Sequence, residues 1–288
     1  MTDFEQKFGV TSYPQEAQAA LLSANETLEQ SAAWRAFAKQ SLNEYQSGTL
    51  KFEQALKKAQ QIAQDSAVNE KTALLLFHLL LAPTLREKYQ AKNIPLAIFE
   101  DSIRDLLYKA KECHTVYGVW GSFVAPWFED FFHLKRFALG RLQFERAHVP
   151  KDCIVQGKQL FKGTPALNLH IPSSGPLTKE LCEDSFQRAK SFFGEEGKET
   201  VFLCDSWLLF PRHREILSPE SGICRFMDLF TLIECREQPE FFDAWRVFGK
   251  EVHPPYEDLR QDTALQRGYA RWLKAGEATA TGVGIAIR

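Results

Sequence analysis

The sequence predicts an α+β protein, with an all-helical amino-terminal part followed by a mixed-sheet domain. Three observations carry this. Up to about residue 135, apolar residues recur at three- and four-residue spacing, the period of helices with one buried face. After it, short alternating apolar runs bounded by Gly, Pro and Ser take over, with helical stretches between them. The chain has 288 residues, 44% of them hydrophobic and 25% charged, enough to bury two cores. The expected division is a helical domain over 1–134 and a sheet domain over 135–288.

In the first part the spacing predicts helices over Glu16–Ser23, Glu26–Gln46, Thr49–Asp65, Glu70–Leu81 and Pro95–Cys113. Pro95 suits a first helical position, and Gly48 and Gly118 suit stops. Trp120, Phe123, Trp127 and Phe131 then recur at helical spacing and are expected to form one packed helix face. The apolar run "TALLLFHLLLAP" is too short to span a bilayer and reads as a core helix.

In the second part the expected strands are Phe137–Glu145, a short piece near Cys153–Gln156, Leu167–Ile171, Thr200–Ser206, Arg225–Cys235 and Gly282–Ile287. Helices are expected over Leu177–Phe193, Arg212–Leu217 and Ala264–Ala275. Residues 236–281 then form a largely helical insertion before the last strand.

Composition excludes several function classes. The 35 basic and 37 acidic side chains give a net charge of −2, and neither half has the cationic excess of a nucleic-acid binder or a membrane-surface protein. One local exception is 134–166, with seven basic residues, Arg141 among them, against Glu145 and Asp152. Such a stretch is a solvated strand pair or a receiver of a polyanionic small ligand. The six cysteines are scattered without a C-x-x-C pair, as expected of free thiols in a reducing cytoplasm, and no metal-ligand spacing is present.

The stretch "LHIPSSGPLTKELCEDSFQRAKSFF", residues 169–193, holds the main chemical candidate. Leu167, Leu169 and Ile171 alternate with Asn168 and His170 as in a half-buried strand, and an amphipathic helix follows with Thr178 as its cap. The Pro-Ser-Ser-Gly-Pro join between them is either a plain turn or a helix start laid open for an anion. A helix N-terminus has unpaired N–H donors and the positive dipole end, although one charge there gains only about 0.3–1 kcal/mol. If 167–171 and 200–206 lie parallel and adjacent, their carboxyl ends meet at His170 and Asp205–Ser206, where open α/β sheets place ligands. The alternatives are that Asp205 caps a turn and that His170 is a satisfied histidine. Ser-His and cysteine nucleophiles fit less well: the G-x-S-x-G elbow is absent and Cys204 alternates into a strand interior.

The phrases "LHIPSSGPLT", "FLCDSWLLFPRHREIL", "SGICRFMDLF" and "DTALQRGYARWL" followed by "GVGIAI" resemble the GNAT-like carboxy-terminal domain of a bacterial acyltransferase family. The helical first half is similar to that family's amino-terminal domain, so the resemblance spans nearly the whole chain. It implies an N-acyltransferase, of which N-acetyltransferases are one kind. Acetyl-CoA or another acyl-CoA would be the co-substrate, and its pyrophosphate would lie in the loop that opens the central helix. At that position stand Ile171, Ser173, Ser174, Gly175 and Lys179. The usual loop reads Arg or Gln, two residues, Gly, any residue, then Gly or Ala. Here Gly175 is present, but Pro176 removes an amide donor, so coenzyme A is held differently or has been lost.

The implied chemistry is attack of an amine on a thioester. His170 is the first candidate for the base, with Asp205 its alternative or orienter. Ser206 is a candidate acid for the leaving thiolate, and His213 a reserve. Amides near 168–171, where strands splay, are candidate donors to the thioester oxygen. The expected partner is a small-molecule acceptor, with no nucleic acid, membrane or metal. The sequence leaves acceptor, acyl chain and oligomeric state open. From a different class, a non-catalytic binding or scaffolding protein would keep the fold without the chemistry.

Overall fold

A computed structural model describes residues 2–238 and 240–288. The chain divides into two compact units, Met1–Phe137 and Ala138–Arg288.

The first unit is helical. Its elements are α1 (Asp3–Phe8), α2 (Gln15–Gln30), α3 (Ala32–Ser47), α4 (Phe52–Asp65), α5 (Glu70–Ala91), α6 (Leu96–Tyr117), a 3-10 turn at Ala125–Phe128 and α7 (Glu129–Phe132). No helix among the described residues is long and apolar enough to cross a membrane. The break between α2 and α3 falls at Ser31, not at residues 24–25 as the periodicity suggested. The Ser31 hydroxyl accepts the Trp34 amide and caps α3, which Ala24 could not do. Pro95 is the cap of α6 and Leu96 its first residue, one position from expectation.

Helix α5 is buried on nearly every side and runs ten residues past the expected end at Leu81. Pro83 sits inside it, where a proline removes one backbone bond and costs about 3 kcal/mol. Beyond it Leu85 and Tyr89 are fully buried, and burying two such side chains outweighs that cost. The expected single aromatic helix face is not formed. Trp120 stacks on His114 at 4.3 Å, Phe123 packs edge-on to Tyr117, and Trp127 donates from Nε1 to Asp105 at 2.9 Å. The segment before Ala125 is instead stitched to the start of α5, with the Ser122 amide on the Lys71 carbonyl and the Thr72 hydroxyl on the Trp120 carbonyl. Gly121 permits this: a Cβ there would lie 2.5 Å from the Lys71 backbone.

The second unit carries a six-stranded sheet. Its strands are β1 (Arg136–Leu139), whose first two residues belong to the helical unit, β2 (Leu142–His148), β5 (Pro165–His170), β6 (Val201–Ser206), β7 (Thr231–Gln238) and β8 (Thr279–Ile287), in the order β1-β2-β5-β6-β8-β7. A separate hairpin, β3 (Cys153–Val155) with β4 (Lys158–Leu160), fills the β2–β5 connection. The expected strand Phe137–Glu145 is two strands, because Gly140 (φ +81°) turns the chain back at Arg141. Strands β5 and β6 are parallel, and the other adjacent pairs for which a register is defined are antiparallel.

Helix α8 (Lys179–Phe193) crosses over between the parallel strands and covers one face. Phe186 reaches Phe202 at 4.6 Å and Phe144 at 6.3 Å, so rings from α8, β6 and β2 form the centre of that layer. On the other face Ala166, Leu203, Val283 and Ile285 pack with Val149 and Val155.

A 3-10 turn (Trp207–Leu209), α9 (His213–Ile216) and α10 (Gly222–Met227) follow β6. The expected strand over Arg225–Cys235 is corrected at its start: Ser221 caps α10 through the Cys224 amide, and pairing begins only at Thr231. Likewise the stretch before β8 is not mainly helical. It holds α11 (Ala244–Phe248) and α12 (Ala264–Lys274) joined by irregular chain, around a second core of Phe210, Phe241, Tyr269 and Trp272.

Candidate functional site

Residues Asn168 and His170 are two apart on β5 and share a face; the antiparallel register sets Glu145 of β2 directly opposite Asn168. Ala166 is on the same side, so this is the sheet face away from α8. His170 Nε2 lies 2.8 Å from Glu145 Oε1, with both side chains less than one-fifth exposed. The Asn168 amide donates to the same carboxylate oxygen at 3.1 Å. The Asn168 amide nitrogen also lies 3.2 Å from Nε2, and the Glu145 carboxylate orients the ring.

The pairing of β5 with β6 runs from Leu167–Phe202 to Leu169–Cys204, and His170 is the next residue. Strand β6 continues beside β8 through Asp205–Val283 and Ser206–Gly282. The carboxyl ends of the two parallel strands therefore stand together, as the sequence suggested.

The expected roles are redistributed. Asp205 does not orient His170; it forms an ion pair with Arg236 across the sheet, and Glu145 takes the orienting position. Ser206 accepts the Leu208 amide at 3.2 Å and caps the following 3-10 turn, which leaves its O–H proton available to donate. His213 is unsuited to a reserve role: it is fully buried between the Tyr269 hydroxyl (2.8 Å) and the Leu208 carbonyl. Burial holds its pKa down at about 4. Burial also pushes the Cys204 thiol well above its ordinary pKa, so it is no nucleophile.

The loop from Ile171 to Thr178 joins β5 to α8. Thr178 caps the helix through the Leu181 amide, and Lys179 is the first helical residue, exposed beside Glu180. Ser173 and Gly175 are exposed, while Ile171 and Ser174 are half-buried. Gly175 has φ +122°, a conformation glycine adopts without strain, and open space surrounds its Cβ position. The Arg141 side chain reaches this loop from the β1–β2 turn. Nη1 donates to the Pro172 carbonyl (2.9 Å), Nη2 to that of Gly175 (3.0 Å) and Nε to that of Pro176 (2.9 Å). In a planar trans peptide the following N–H points opposite to the carbonyl. The Ser173 and Leu177 amides are thus turned away from the guanidinium, while Pro176 has no N–H to turn. The outward Leu177 amide, just ahead of a capped 15-residue helix, is a donor that fits a phosphate.

Sequence reasoning missed two of these residues in their roles. Glu145 and Arg141 were visible only as charges in the 134–166 stretch. The signal for Glu145 was its place in an alternating run that ends level with Asn168, which requires the strand register. No local signal pointed Arg141 at a loop some thirty residues on.

Residues 6–134 match the family model of the N-acyltransferase N-terminal domain, and residues 136–286 match that of the GNAT-like C-terminal domain. A search of curated proteins returned no match. Among solved structures, the chain is similar to an acyltransferase mutant in complex with octanoyl-CoA, at 21% identity and TM-score 0.75, covering 99% of this chain and 86% of the other. It is also similar to an acyltransferase in complex with decanoyl-CoA and teicoplanin, at 21% identity and TM-score 0.72 with the same coverage. A third, an acyltransferase with decanoyl-CoA, is 23% identical with TM-score 0.71, covering 95% and 84%. At these identities the likeness is one of fold. Since the sheet-domain match alone spans over half of the residues, the chain belongs to the family that couples an N-acyltransferase N-terminal domain to a GNAT-like C-terminal domain.

Proposed function

We propose that this protein transfers an acyl group from acyl-coenzyme A to an amine of a small-molecule acceptor, with the chemistry carried by residues 135–288. The observation that carries this is the His170–Glu145 pair at the carboxyl end of β5, one residue past the last β5–β6 pair and at the mouth of the α8 loop. Supporting it are the family match and the similar structures that hold octanoyl- or decanoyl-CoA, one of them with teicoplanin.

Bound acyl-coenzyme A would supply an activated thioester carbonyl. Everything else falls to this chain. The Leu177 amide, turned outward by the loop, would hold the diphosphate, with Ser173, Ser174, Gly175 and Lys179 along its path. His170, oriented by Glu145, would take the proton from the attacking amine. A positioned base of this kind contributes about 10²–10⁴-fold. Glu145 would stabilise the imidazolium that results. The Ser206 hydroxyl would donate to the departing thiolate.

The test is calorimetric titration with coenzyme A and with acetyl-, octanoyl- and decanoyl-coenzyme A, followed by product analysis with small amines, teicoplanin included. Micromolar binding and amine-dependent thiol release support the proposal. Binding without turnover across the amine panel would favour the non-catalytic alternative, which the departure at Pro176 from the usual loop also favours. No binding at millimolar concentration would refute the proposal and leave the non-catalytic reading, in which the fold is kept without the chemistry.

A further inference from the structure

We infer that Arg141 is a positioning residue for the coenzyme A loop: its guanidinium gathers the loop's carbonyls on one side and thereby presents the Leu177 amide on the other. This rests on the proposal above that the Ile171–Thr178 loop receives the diphosphate.

Three nitrogens of one planar group bind three carbonyls within a five-residue span, Pro172, Gly175 and Pro176. Carbonyl dipoles facing a diphosphate would repel it. Turned toward a cation, they are neutralised, and the peptide plane sends the Leu177 amide the other way. The arrangement compensates for the proline: where Pro176 offers no amide, the following peptide is held with its own outward.

Arg141 is itself pinned. The buried Ser185 hydroxyl on α8 accepts the Arg141 amide (2.7 Å) and the Leu142 amide (3.3 Å) while donating to the Leu181 carbonyl (2.8 Å). Gly140 permits the approach, since a Cβ there would lie 2.8 Å from Ser185 Oγ. The helix that receives the loop thus also fixes the residue that shapes it. A lysine could supply the charge but not a fork spanning three carbonyls.

The experiment titrates full-length wild type, Arg141→Lys and Arg141→Ala with coenzyme A and with pantetheine, which lacks the diphosphate, at two salt concentrations. The expected result is that both variants lose coenzyme A affinity by about tenfold or more, the scale of one misaligned hydrogen bond to a charged group. Their pantetheine affinity should stay within about twofold of wild type, since no diphosphate contact is involved. Arg141→Lys binding like wild type while Arg141→Ala binds weakly would mean that charge alone acts, and would overturn the positioning role. Wild type preferring coenzyme A with both variants unaffected would overturn it too. Wild type binding coenzyme A no better than pantetheine would instead refute the loop assignment underneath. Ser185→Thr, which keeps the hydroxyl, should retain coenzyme A affinity, and Ser185→Ala should lower it in the same sense as Arg141→Lys; unchanged affinity in Ser185→Ala would overturn the pinning. Circular dichroism on each variant separates loss of binding from loss of fold.

Discussion

Mild acid should destabilise this protein through two buried histidines, one in each unit. His78 is fully buried on α5, ringed by Phe77, Phe128 and Phe132 at 4.9–5.3 Å, with Nδ1 on the Leu74 carbonyl and Nε2 without a hydrogen-bond partner. His213 is equally buried beside Tyr269. Burial holds each pKa down at about 4, from an ordinary 6.5. Between those values the unfolded chain binds protons that the folded chain does not, so stability is full above pH 6.5 and falls as pH drops toward 4. At 1.36 kcal/mol per pH unit the full interval corresponds to about 3 kcal/mol for each histidine, of which about 2 kcal/mol is already lost at pH 5. Urea midpoints at pH 7 and pH 5 measure the effect, with His78→Leu as the isolating variant. Leucine fits an apolar cage and leaves no titrating group, so its pH 7 to 5 loss should be smaller than wild type by about 2 kcal/mol. An equal loss in variant and wild type would show that His78 is protonated in the folded state and refute the reasoning.

Other outcomes follow from the site. Glu145→Gln should lower kcat by roughly 10- to 100-fold with little change in coenzyme A affinity, since it removes one charge-assisted bond to His170; steady-state kinetics with calorimetry checks this, and an unchanged kcat would remove Glu145 from the mechanism. Gly175→Ala should weaken coenzyme A by roughly 5- to 150-fold, because φ +122° costs an alanine about 1–3 kcal/mol although nothing crowds its Cβ. Wild-type affinity there would show that the loop relaxes without consequence. Asp205→Asn should leave turnover within about threefold of wild type, its partner being an exposed arginine on β7 and such pairs contributing little; a loss of 100-fold or more would restore it as a catalytic candidate.

Much of the sheet unit was legible because its punctuation is local. The switch from period two to helical period between Ile171 and Thr178, with prolines at both ends of the turn, marks β5, the loop and α8 without any tertiary information. Parallel pairing of β5 and β6 was a condition in the sequence reading, and the helix between them supplies the crossover that such a pair needs. Errors arose where packing overrode local preference. Pro83 should end a helix, and α5 continues because Leu85 and Tyr89 are buried beyond it. The start of the expected strand at Arg225 falls instead in a helix that the Ser221 cap begins. The spaced aromatics from Trp120 to Phe131 follow a helical period, yet Gly121 lets the chain lie directly against the start of α5.

The site divides the same way. His170 was recognisable as a polar residue at a strand's carboxyl end. Its partner was not, because only the β2–β5 register brings Glu145 across from Asn168. Asp205 looked the better partner from its matching place at the end of the neighbouring parallel strand, but its carboxylate is engaged by Arg236 from beyond β8. Arg141 becomes meaningful only when the turn that carries it is docked on Ser185.

The most direct measurement is thiol release from octanoyl-coenzyme A with and without a panel of primary amines, comparing wild type with His170→Ala and following the amine's mass. The account predicts amine-dependent release with the acyl mass added to the amine, and a loss of about 10²-fold or more in the variant at unchanged coenzyme A affinity. Release that ignores the amine, or a variant as active as wild type, would contradict it.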